Sequence, residues 1–210
     1  MKSERVSAIL FDLDGVLVDS TRVVERAWRW WAREQDVCAD DVLAVAHGRA
    51  AREVVRMFAP HLDVKRQAMR LARHEAADPD DLTVIPGARE CVELARRGRW
   101  AVVTSGDRKL ATARLAAVSL PMPEILVTAD DVTAGKPDPE PYLCAARALA
   151  VPAAECVVIE DAPAGVLAAR RAGMTVLAVT TTHAAATLTA ADRVFPTLHE
   201  IAQQLDTTSP

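Results

Sequence analysis

Short apolar runs, each bounded by polar or helix-like sequence, most constrain what this chain can fold into. They are Val6 to Phe11, Trp100 to Thr104, Ile125 to Val127, Val157 to Ile159 and Thr175 to Val179. Each is rich in valine or isoleucine and apolar without alternation, the pattern of a strand buried on both faces of a parallel sheet. Helix-like stretches separate them, at Ala88 to Arg97, Lys109 to Ala117, Pro141 to Ala150 and Ala164 to Ala172, and Gly87, Gly98 and Gly173 punctuate the helix ends. Alternation of this kind predicts an α/β protein, an open parallel sheet with helices on both faces.

Between the first run and Pro86 the pattern changes to helical spacing without a convincing strand. Val24, Ala27, Trp28 and Trp31 share one stripe, Val54, Val55 and Phe58 another, and Met69, Ala72 and Ala76 a third. Asp78-Pro79-Asp80-Asp81 and Ile85-Pro86-Gly87 mark the return to the sheet. Residues 16–82 therefore predict a helical subdomain inserted after the first strand. Against roughly 150 residues per domain, a chain of 210 residues is one domain with a large insertion, or two small ones, and can bury a core without disulfides or a structural metal.

Charge and cysteine usage narrow the partners. The net charge is -4, and residues 16–82 carry 11 basic and 12 acidic side chains, so no positive field awaits nucleic acid or an anionic membrane. Cys38, Cys91, Cys144 and Cys156 form no C-x-x-C pair, which predicts reduced, mostly buried thiols in a cytoplasmic protein. No run approaches the roughly 18 apolar residues of a membrane span, and no secretory signal is visible. Asp206 to Pro210 is expected to be a frayed tail, and the oligomeric state is left open.

Acidic and hydroxyl side chains collect where the predicted strands end. Asp12 and Asp14 follow the first, Thr104-Ser105-Gly106 the second, Gly135-Lys136-Pro137 lies in the loop after the third, and Glu160 and Asp161 follow the fourth. Open parallel sheets bind ligands outside the carboxyl ends of their strands, where the strand order reverses. Repelling carboxylates buried together are costly unless a cation neutralises them. Lysine is scarce, 4 of the 25 basic residues, so Lys136 in that loop stands out.

The run Phe11-Asp12-Leu13-Asp14-Gly15-Val16-Leu17-Val18-Asp19-Ser20 resembles the first signature of the haloacid dehalogenase-like superfamily. Thr104, Lys136 within Gly135-Lys136-Pro137-Asp138-Pro139, and Ile159-Glu160-Asp161-Ala162-Pro163-Ala164-Gly165 are similar to its second, third and fourth motifs, in order. The resemblance implies a Rossmann-like core (1–15 and 83–210), a mobile helical cap (16–82), and Mg²⁺-dependent phosphatase chemistry. By the same resemblance Asp12 is the nucleophile that becomes an aspartyl-phosphate, Asp14 the general acid and then base, and Lys136 a countercharge. The Asp12 carboxylate, the Asp14 backbone carbonyl and Asp161 would bind Mg²⁺, with Glu160 holding a metal-bound water. Thr104 would bond the phosphoryl group, helped by the N–H groups of Ser105 and Gly106 at a helix start; Ser105 stands where the motif often has Asn. The second aspartate argues against a dehalogenase or a phosphonate-cleaving enzyme.

Other polar residues have plainer readings. Asp19 is expected to cap a helix, Asp130 and Asp131 to serve a loop, and His61, His74, His183 and His199 to stand alone. Trp28, Trp30 and Trp31 are read as cap packing. His47-Gly48-Arg49 suits a cap loop facing the site, with Arg49, or else Arg52, touching substrate. The expected function is hydrolysis of a small sugar or polyol phosphate, a small phosphorylated metabolite being the only partner. A phosphoglucomutase-type transfer and a non-enzymatic phosphosugar-binding protein are the alternatives.

Overall fold

Residues 6–46, 48–77 and 80–208 are described by a computed structural model. In chain order the elements are β1 (Ala8–Phe11), β2 (Val18–Asp19), α1 (Thr21–Glu34), α2 (Ala39–Ala46), α3 (Ala51–Phe58), α4 (Val64–Ala77), β3 (Thr83–Val84) and α5 (Ala88–Ala95). There follow β4 (Arg99–Val103), α6 (Arg108–Ala117), β5 (Ile125–Val127), α7 (Glu140–Ala148), β6 (Cys156–Glu160), α8 (Pro163–Arg171), β7 (Thr175–Val179), β8 (Arg193–Phe195) and α9 (Leu198–Thr208).

The apolar runs are strands of one six-stranded sheet, order β5-β4-β1-β6-β7-β8, every pairing parallel. The α/β fold read from the sequence is thus the observed one. Strand β1 lies between β4 and β6, with Phe11 beside Val102 and Ile159. From β1 the chain builds outward to β5 on one side and returns to build β6, β7 and β8 on the other. The order therefore reverses beside the carboxyl end of β1, where a ligand crevice opens in such sheets.

Alternation along β1 feeds two cores. Ala8 and Leu10 pack with Tyr142, Val158 and Val166 on one face; Phe11 packs with Trp100, Leu115 and Ile201 on the other. Helices α1–α4 close a third apolar cluster around Trp31, Val54, Val55 and Leu71, which the sheet does not share. Trp28 and Trp31 meet edge to face there, while half-buried Trp30 stacks on His74.

Several expectations are corrected. The segment before Pro86 does contain a strand: β2 pairs antiparallel with β3, through Val18–Val84 and Asp19–Thr83, and two residues are too few to show a period. Asp206 to Thr208 are the last residues of α9, a helix held against α5, and Ser209 and Pro210 lie outside the described residues. Strand β8 has three residues at a sheet edge, its first two exposed, and left no apolar run to find. On α4 the buried residues are Gln67, Leu71 and Glu75, whereas Met69 is 47% exposed. Trp31 Nε1 donates to Gln67, and Arg114 pairs with Glu75, so partners on other helices let the polar side chains go inside. Three of the four histidines expected to stand alone have neighbours: His74 stacks on Trp30, His199 pairs with Glu90, and His183 Nδ1 lies 2.8 Å from Thr182 Oγ1. All four thiols are free, Cys91 and Cys156 buried, Cys144 half-buried and Cys38 exposed. No helix among the described residues is long and apolar enough to cross a membrane.

Candidate active site

Asp12 is the first residue past β1, its N–H donating to Ile159 O across the sheet at 3.0 Å. Its side chain is buried, and Oδ1 accepts from Lys136 Nζ at 2.5 Å. Lys136 is 1% exposed and spends its other protons on Glu160 Oε1 at 2.8 Å and Val103 O at 3.0 Å, with the Tyr142 ring below the ammonium. Glu160, the last residue of β6, also accepts from Tyr142 OH and from the N–H groups of Asp161 and Ala162. Its carboxylate is therefore fully engaged with protein donors rather than held open for a water.

Asp161 is buried beside them; Thr182 Oγ1 donates to its Oδ2, while Oδ1 has no hydrogen-bond partner. One oxygen each of Asp12, Glu160 and Asp161 lie within 4.8 Å of one another. Three carboxylates thus face a single ammonium. Burial, opposed by Lys136, pushes Asp12 up to about 7, and burial also raises Asp161 well above the ordinary range. Burial works against the Lys136 charge, but Asp12 and Glu160 outweigh it and hold it above the usual lysine value. The oxygen-only donor set, its surplus of negative charge and the orphaned Asp161 oxygen fit a hard divalent cation.

Two glycines keep this cluster tight. Gly15 turns the chain at φ +85, and a Cβ there would lie 2.1 Å from Asp161 Oδ2. At Gly165, in the first turn of α8, a Cβ would lie 1.6 Å from Glu160 Oε1. That carboxylate cannot step aside without leaving Lys136 and two backbone N–H groups. Gly165→Ala is expected to cost about 3–5 kcal/mol, the scale of disrupting a buried ion pair. Gly173→Ala, at positive φ but in open space, should cost only about 1–2 kcal/mol. Urea denaturation of both variants checks this, and equal losses would exclude the contact with Glu160.

Asp14 points elsewhere: its Oδ1 accepts from Ser20 Oγ and from Arg114 Nη1, both at 2.7 Å. Arg114, on α6, also donates through Nη2 to Glu75 on α4. Burial, countered by Arg114, pushes Glu75 up to about 7. Thr104, one residue beyond β4, donates its N–H to Val127 O, and its Oγ1 accepts from Gly106 N at 3.0 Å. Ser105 and Gly106 do not lie in the helix: Asp107 caps α6 by accepting from Leu110 N, so the two precede the first turn. Ser105 Oγ donates instead to Gly48 O in the helical insertion. Asp19 accepts from Thr21 N–H beside the start of α1, and Asp131 is tied to Thr128 and Arg108.

Over these groups lies a cavity of about 370 Å³ between the insertion and the sheet. Asp12, Asp14, Thr104 and Asp161 line its floor; Trp28, Met69 and Ala72 line its walls. Met69 and Ala72, two residues of the apolar stripe on α4, line this cavity, while Gln67 and Glu75 of the same helix are buried. Arg49 and Arg52 line it too, Arg52 pairing with Asp130 at 3.4 Å, while His47 lies outside the described residues. The sequence reasoning missed Arg114, Glu75, Tyr142 and Thr182. Only Thr182 had a signal, as a hydroxyl just past a strand end; the others sit inside helices with nothing local to mark them.

A family model described as haloacid dehalogenase-like hydrolase matches residues 6–173. Hexitol phosphatase A of Escherichia coli (strain K12) is 41% identical over 202 residues, covering 94% of each chain. Validoxylamine A 7'-phosphate phosphatase of Streptomyces hygroscopicus subsp. limoneus is 40% identical over 201 residues, 91% of this chain and 94% of that one. Among solved structures, a hydrolase from Pseudomonas syringae superposes with a TM-score of 0.87 at 29% identity, covering 97% of this chain and 100% of that one.

Proposed function

This chain belongs to the haloacid dehalogenase-like hydrolases, and we propose that it cleaves a small sugar or polyol phosphate by passing the phosphoryl group to Asp12 and then to water. It is a phosphoric monoester hydrolase. The observation that carries the substrate and mechanism is the charge at and just beneath the cavity floor: Asp12 and Asp161 line the cavity, Glu160 and Lys136 are buried behind them, and an oxygen of Asp161 is unpartnered. A phosphate dianion cannot approach that floor without further positive charge. The relatives named for hexitol and validoxylamine phosphates support a polyhydroxylated leaving group.

Asp12, the Asp14 backbone carbonyl and Asp161 would hold a divalent cation, which we assign as Mg²⁺. Bound there, it would offset charge on the transferring phosphoryl oxygens. Lys136 holds Asp12 through Oδ1, leaving the other oxygen of the carboxylate for attack on phosphorus. The new bond joins Asp12 to phosphorus while the ester P–O bond breaks, and Asp14 gives its proton to the departing alkoxide. In the second step Asp14 takes a proton from water, whose oxygen bonds to phosphorus as the bond from Asp12 breaks. Thr104 accepts from Gly106, which aims its hydroxyl proton at a phosphoryl oxygen, with the Ser105 N–H beside it. Arg49, on the cavity wall, meets the rest of the substrate. Glu160 holds Lys136 in place. The four free thiols suit the cytoplasm, where small phosphorylated metabolites are the partners.

Phosphate release from a panel of sugar, polyol, glycolate and nucleotide monoesters tests the reading. With a chelator, release is expected to drop to the uncatalysed rate and to return with Mg²⁺; undiminished release under chelator would reject the metal assignment. Free phosphate, rather than phosphoryl transfer from a sugar bisphosphate to a sugar, separates hydrolysis from a mutase.

A further inference from the structure

Arg114 has no part in the chemistry above, yet it is a buried charge, 4% exposed, set between the two parts of the molecule. One guanidinium nitrogen holds Asp14 on the sheet side, and the other holds Glu75 on α4, which packs against α6 and is 7% exposed at that residue. Its Nε is buried without a partner. A buried carboxylate–guanidinium–carboxylate arrangement is poor at stabilising a fold, since apolar side chains of equal volume do as well or better. The geometry at Asp14 suggests what it does instead. Ser20 Oγ and Arg114 Nη1 both meet Oδ1, so Oδ2 of a side chain that lines the cavity is left for the ester oxygen.

Resting on the proposed function, we infer that Arg114 is a positioning residue, which takes its place from Glu75 of docked α4 and turns Asp14 so that Oδ2 exchanges the proton with the leaving group. The proton on Oδ2 passes to the alkoxide oxygen as the ester P–O bond breaks and the bond from Asp12 forms. Seating α4 on the sheet domain thereby also readies the acid, and Arg114, 5% exposed where it borders the cavity, transmits that seating by holding Asp14.

Leaving-group dependence isolates this role. An alkyl alkoxide needs the proton, whereas p-nitrophenolate departs without it, and kcat/KM reports the steps through phosphoryl transfer. The full chain with Mg²⁺ is assayed on glycerol phosphate and p-nitrophenyl phosphate. Glu75→Leu combined with Arg114→Met removes both charges at similar volume, and Arg114→Lys keeps the charge but loses the fork that spans two carboxylates. The alkyl-to-aryl ratio of kcat/KM is expected to fall roughly 10²-fold in the double variant, the scale set by a misplaced group, and by less in Arg114→Lys. Asp14→Asn should show the same selective loss. An unchanged ratio, whether both substrates slow equally or neither slows, overturns the role; if the double variant does not fold, the Arg114→Lys ratio decides alone. Failure of the nucleophile assignment is seen separately, as activity retained by Asp12→Asn on both esters.

Discussion

Asp12→Asn is expected to abolish phosphate release while the protein stays folded. The amide keeps the size of the carboxylate and can still accept from Lys136 through its oxygen, so the contact made at 2.5 Å has a replacement. It cannot form a stable acyl phosphate, so the covalent route closes. Removing a nucleophile of this kind typically lowers kcat by on the order of 10⁴–10⁶. Stability should be unchanged or higher, since the exchange removes one of three buried carboxylates gathered around Lys136. Phosphate release and a thermal melt, measured on the same preparation, check both halves. Near-normal turnover would reject Asp12 as the nucleophile, and an unfolded variant would show that its charge holds the cluster together.

Lys136→Met, by contrast, should lose stability as well as activity. The ammonium is the partner of Asp12 and Glu160 alike and also donates to Val103 O. Removing one partner of a buried ion pair costs about 3–5 kcal/mol because the other charge stays behind, against a total native stability of about 5–15 kcal/mol. In a chain of this size that is a fall in Tm of roughly 6–20 °C. Adding Glu160→Gln to Lys136→Met should recover part of the loss, since it removes one of the stranded charges, and the four-way comparison measures their coupling. A Lys136→Met protein that melts with the wild type would show that the ion pairs contribute no net stability.

The strands and the rim of the site were legible because both are local patterns. Val157 to Ile159 is apolar without a break because β6 is covered on both faces, and the acids follow it because the chain emerges there at the crevice. Asp12, Thr104 and Asp161 are far apart in sequence, and parallel strands with one common direction bring them to one rim, where Lys136 reaches Asp12 and the end of β4 from the loop after β5. Helix α4 shows where local pattern stops being enough. The apolar stripe at Met69 and Ala72 lines the cavity, while Gln67 and Glu75 are buried against Trp31 and Arg114. Whether a polar side chain goes inside depends on a partner from another helix, and no window of sequence around it contains that partner.

By itself, then, the sequence determined the sheet, the run of helices that follows its first strand and the order in which acids, hydroxyl and lysine reach the strand ends, all properties of runs a few residues long. Only the tertiary structure decided which of those groups share protons, that Glu160 is taken up by Lys136, Tyr142 and backbone N–H groups, and that Arg114 joins Asp14 to Glu75. Apart from the N–H groups next to Glu160, those contacts link residues 18 to 100 positions apart. Their energies depend on burial and distance, which exist only once the helices have packed on the sheet.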